Sequence, residues 1–101
     1  MADSENVVTA SIAAQNTFTD WLECEGDTRA LILSISGTWA GTLTVQRRQR
    51  AGGGGTAMDV QTFTSNVERI GNHPRGYDIR VGFKTSAYTS GTAVISLERV
   101  S

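Results

Sequence analysis

Apolar and polar residues alternate along most of this chain with a period of two. Leu31, Leu33 and Ile35 share one side of a run that places Ser34 and Ser36 on the other. Leu43 and Val45 alternate in the same way with Thr42, Thr44 and Gln46. Such alternation marks half-buried strands. Between the two runs stands Gly37-Thr-Trp-Ala-Gly. Its two glycines can take the positive backbone angles of a turn, so the pattern predicts a hairpin over residues 29–48. Trp39 then folds over one end of the core. Tyr77, Ile79, Val81 and Phe83 make the clearest inward row, alternating with Asp78, Arg80, Gly82 and Lys84.

Further strands are expected over residues 6–13, 17–24, 58–63, 66–70 and 92–100, the last with Ala93, Ile95 and Leu97 on one face. In the second of these, Phe18, Leu22 and Cys24 alternate against Thr17, Thr19 and Trp21, and the apolar Trp21 suggests cover on both faces. Turns fall at residues 14–16, 25–27, 71–76 and 85–91. About eight short strands spaced roughly 8–12 residues apart predict an all-β fold, an antiparallel β-sandwich of jelly-roll type. An immunoglobulin-like sandwich is the alternative. No stretch sustains a helical repeat of apolar positions. Residues 1–5 read as a flexible N-terminal arm, or as an arm ordered by a neighbouring subunit. Residues 6–101 read as one sandwich domain.

Composition narrows the function. With 101 residues and 39% hydrophobic content, the chain suits a thin two-layer core. Its formal net charge of -1 is unlike that of most nucleic-acid binders. The single Cys24 permits no internal disulfide and no cysteine-based zinc site, which fits intracellular synthesis. No apolar run reaches membrane-spanning length, and the polar, acidic start Met1-Ala-Asp-Ser-Glu is unlike a secretory signal. No membrane, nucleic-acid or cofactor partner is expected.

Candidate chemistry is sparse. His73, the only histidine, sits in the turn-rich Gly71-Asn-His-Pro-Arg-Gly, where a triad or metal site would need partners the sequence does not place. Glu23, Glu25 and Asp27 have a spacing that could serve calcium, but without an EF-hand pattern they read as a solvated strand end. Nothing places two carboxylates across a glycosidase cleft. Gly52-Gly53-Gly54-Gly55 leads into a strand and not a helix, so it reads as a flexible loop and not a phosphate cradle.

Arg47, Arg48 and Arg50 form the densest charged patch. Three readings stand: a solvated strand end, electrostatic docking to an acidic partner surface, and nucleic-acid contact. An estimated pI of about 5.7 and the lack of interleaved aromatics weigh against the third. Trp21, Trp39, Tyr77 and Tyr88 could line a sugar platform, but Tyr77 belongs to an inward row, and Trp39 and Tyr88, placed in turns, could instead cap the core. The predicted partner-binding residues are Arg47, Arg48, Arg50, Gly53 and Trp39, and no enzymatic residues are expected.

Four stretches carry a resemblance: Phe18-Thr-Asp-Trp-Leu; Ser36-Gly-Thr-Trp-Ala-Gly-Thr-Leu-Thr-Val-Gln-Arg; Asp59-Val-Gln-Thr-Phe-Thr-Ser-Asn-Val-Glu; and Tyr88-Thr-Ser-Gly-Thr-Ala-Val-Ile-Ser-Leu. Together they resemble the small all-β virion structural proteins of tailed phages, those of heads, head fibres and tails. Members of that set tend to carry an Asp-Gly turn and a tryptophan before the Asp-Val strand. Here the tetraglycine and Met58 stand in those places. The resemblance implies a structural, non-enzymatic role in a virion assembled in the host cytoplasm. Its partners would be the major capsid protein or other virion proteins, with a homo-oligomer expected. Capsid decoration or cement is the first expectation. A fibre, spike-base or tail-associated module, touching host carbohydrate, is the second.

Overall fold

The computed structural model describes residues 7–23, 30–49, 56–72 and 77–100. These residues are all-β: seven strands in one antiparallel sheet. They are β1 (Val7–Ile12), β2 (Thr17–Phe18), β3 (Leu22–Glu23), β4 (Ala30–Gln49), β5 (Met58–Phe63), β6 (Val67–Asn72) and β7 (Tyr77–Val100).

The expected hairpin at Gly37–Gly41 is not formed. Residues 30–49 are a single 20-residue strand, and β7 is likewise continuous over 24 residues, through the turn expected at residues 85–91. The two pair with each other end to end: Leu33 faces Leu97 and Ile35 faces Ile95, while Leu43 faces Phe83 and Val45 faces Val81. The physical reason lies in the turn itself. A two-residue hairpin turn of the common type needs two adjacent positive-φ residues. Gly37 (φ 94°) and Gly41 (φ 139°) do have positive φ, but they stand four positions apart within one continuous strand that does not reverse. A Cβ at Gly41 would collide with the Ala87 carbonyl oxygen, so the bend and the close approach of β7 both require glycine there. Register shifts in the β4–β7 ladder fall at this place, between Ala40 and Gly41 and between Gly41 and Leu43.

Each long strand therefore has two ends with different neighbours. β1 pairs with β7 at residues 93–98, and β6 with β4 at residues 30–35. At the other end β2 and β3 pair with β7 at residues 78–83, and β5 with β4 at residues 43–47. Straight, β4 would run about 66 Å at ~3.3 Å per residue. The molecule's longest extent is 37 Å, so the long strands are bent. Leu33, Ile35, Ala93, Ile95 and Leu97 from one end and Leu43, Val45, Phe63, Val81 and Phe83 from the other belong to one buried cluster. Phe83, Ala93, Ile95 and Leu97 are fully buried, as the alternation requires, and Tyr77 is half-buried. The strand expected over residues 17–24 is broken: β2 and β3 flank Thr19–Trp21, and Thr19 is held by hydrogen bonds to Val81.

Candidate functional site

Antiparallel pairing brings a polar ladder together on the side of the sheet away from Val45, Ile79 and Val81. Gln46 faces both Arg80 and Asp59, and Arg48 faces Asp78. Directly opposed residues on one face are the contacting pairs of a sheet. Arg48 Nε donates to Asp78 Oδ2 over 3.0 Å, and the Asp78 side chain is 5% exposed. Arg80 Nε donates to Gln46 Oε1 (2.9 Å), Gln46 Nε2 donates to Asp59 Oδ1 (2.9 Å), and Lys84 Nζ donates to Asp59 Oδ2 (2.7 Å). Trp21 supplies the cover: its ring centroid lies 4.3 Å from the Arg48 guanidinium carbon and 4.5 Å from that of Arg80. Phe18 lies 4.1 Å from Arg80. The stacked Arg80, hydrogen-bonded to Gln46, accounts for the burial of Gln46 on the face opposite the core.

The electrostatics follow from the geometry. The Lys84 hydrogen bond, aided by that of Gln46, holds the Asp59 carboxyl below its ordinary range. Burial lowers the affinity of Arg80 for its proton, and the Arg48 charge adds to the effect.

Arg47 points the other way, as strand alternation demands of the residue before Arg48. It is exposed, and its guanidinium carbon lies 4.8 Å from the Tyr77 ring centroid. Arg47, Arg48, Gln49, Thr56, Met58 and Tyr77 line a cleft of about 400 Å³. The expected basic patch is thus divided: Arg48 is committed to Asp78 and Trp21, while Arg47 faces the cleft.

Trp39 lies at the bend, apart from the arginines. It is half-buried against Phe83, with ring centroids 5.7 Å apart and planes at 67°. Its Nε1 donates to Asn66 Oδ1 over 2.7 Å, and Asn66 Nδ2 donates to the Gly37 carbonyl oxygen over 3.0 Å. Trp39, Thr38, Thr64, Ser65 and Asn66 border a second cleft of about 300 Å³. Tyr88 also packs edge-on to Phe83 and donates its hydroxyl to the Gly91 carbonyl oxygen over 2.9 Å. The two aromatics cap one core ring, and the described lining of the cleft at Trp39 does not include Tyr88.

Of the predicted contact residues, Arg50 and Gly53 lie outside the described residues, as do the arm 1–5, Cys24, Glu25, Asp27 and His73. The Arg80–Trp21–Arg48 arrangement was missed by sequence reasoning. Its only signal was the placement of Arg80 and Asp78 on one face of a strand; the register that brings Trp21 and Arg48 to them is not written locally. No family model matches the chain, and neither a curated protein nor a solved structure matches it.

Proposed function

We propose that this protein is a non-enzymatic structural component of a tailed-phage virion, a decoration or cement protein that binds across capsid subunits and stabilises the head. The observation that carries the reading is the placement of exposed apolar side chains. Val7 on β1, Met58 and Val60 on β5 and Ile70 on β6 are 41%, 56%, 53% and 71% exposed. Each of these strands pairs on one side only among the described residues. Apolar edge strands invite association, and proteins that stay alone blunt such edges. A domain with several such edges suits a position among several neighbours, where weak contacts add as avidity. The resemblance to small virion proteins points the same way.

In this reading the bent sheet is a β-sandwich with a jelly-roll-like path, its two ends pressed core face to core face and joined through the bends at Gly37–Gly41. Rigidity of that kind serves a clamp. The test is selective attachment. Shells stripped of the protein should take it up in sedimentation, while isolated capsid subunits should not, because the site spans subunits. Equal binding to isolated subunits, or none to shells, would contradict the proposal.

A second reading, a fibre, spike-base or tail-associated module in contact with host carbohydrate, draws on the cleft at Trp39. Its aromatic, hydroxyl and amide lining is of the kind that recognises neutral sugars. Tyr88 is turned to Gly91 and adds nothing to that cleft.

A further inference from the structure

We infer that the cleft at the end of the sheet seats an acidic segment of a partner protein, its carboxylate on Arg47 and an adjoining apolar side chain against Met58 and Tyr77. The inference rests on the reading of the protein as an assembly module and names the chemistry of one contact.

Three observations carry it. First, the charges of Arg47 and Arg48 are not equivalent. Arg48 meets Asp78, whereas Arg47 makes an aromatic contact and no ion pair with a described residue. Stacking on Tyr77 orients the guanidinium without neutralising it, and leaves its N–H fork for an acceptor. Second, the cleft beside it has a volume of about 400 Å³. Third, its wall is apolar next to that cation: Met58 is 56% exposed, and the Tyr77 ring stands beside it. With Arg48 of the same cleft held by Asp78, Arg47 bordered by Met58 and Tyr77 fits a carboxylate flanked by an apolar side chain. Nucleic acid, with its row of phosphates, would call for a basic stripe.

The probe is a capped tetrapeptide, Leu-Glu-Leu-Glu, added at millimolar concentration to the full-length protein and followed by backbone amide resonances. Saturable shifts should centre on Arg47, Met58 and Tyr77. Binding should weaken about two- to fivefold in Arg47→Gln and with the Leu-Gln-Leu-Gln peptide, the scale of one exposed charge pair. Met58→Ser should also weaken it. Arg69→Gln, on β6 beside Phe63, should not. Arg47 is exposed, so its variant retains the fold. Absence of saturable shifts, shifts centred elsewhere, or equal binding by Arg47→Gln would overturn the inference. Those failures would leave the shell-attachment result intact, so the two ideas fall separately.

Discussion

Arg48 and Asp78 lie opposite each other in the β4–β7 ladder, and the Arg48 Nε donates to the Asp78 Oδ2 over 3.0 Å. The carboxylate is almost wholly buried and the guanidinium is stacked on Trp21. Arg48→Ala therefore removes a charge-assisted hydrogen bond and a stacking contact together. It should lower unfolding free energy by about 1.5–3 kcal/mol in a denaturant titration with an unchanged slope. A change under ~0.5 kcal/mol would mean that the pair is ornamental.

The core gives a second expectation. Leu33 faces Leu97 and is 6% exposed. Leu33→Ala should cost on the order of 2–5 kcal/mol, from lost transfer energy plus a cavity. Ile70→Ala, on an open strand edge, should stay within about 0.5 kcal/mol in the isolated protein. Equal effects at the two positions would refute the assignment of core and edge.

Gly41 tests the bend. Any side chain there meets the Ala87 carbonyl oxygen while holding a φ of 139°. Gly41→Ala should destabilise by more than ~1 kcal/mol. A neutral Gly41→Ala in thermal unfolding would show that β4 does not need this corner.

Acid should reveal Asp59. Its folded carboxyl titrates below the ordinary carboxylate value, chiefly through Lys84. The contribution is therefore present above the unfolded value of about 4 and is lost as pH falls through the lower folded one. Asp59→Asn should be less stable than wild type at neutral pH, and the two curves should converge in acid. The side chains of Lys84 and Asp59 are about half exposed, so salt should also shrink the gap. A gap that is constant from neutral pH into strong acid would contradict the assignment.

Much of the inner face was legible in the sequence. The rows Ile79–Val81–Phe83 and Ala93–Ile95–Leu97 are buried where alternation put them, because period-two patterning is a local property. Connectivity was less legible. The spacing Gly37…Gly41 reads equally as a turn or a bend, and only the distant partner segment 77–100 decides between them. Where about eight short strands were expected, the described residues form seven, two of them long. The candidate surface shows the same division. A cluster of arginines is visible in the sequence, but adjacent strand residues face opposite ways. Asp78 and Trp21, which take up Arg48, are reached only through tertiary pairing.

The proposed role of this protein is to hold a phage shell together. Its most direct test compares thermal disruption of complete particles with particles depleted of the protein, alongside adsorption to host cells. The account predicts that depleted particles form, break at a lower temperature, adsorb normally, and regain heat resistance when the protein is added back. Normal heat resistance with impaired adsorption would contradict it and favour the fibre reading.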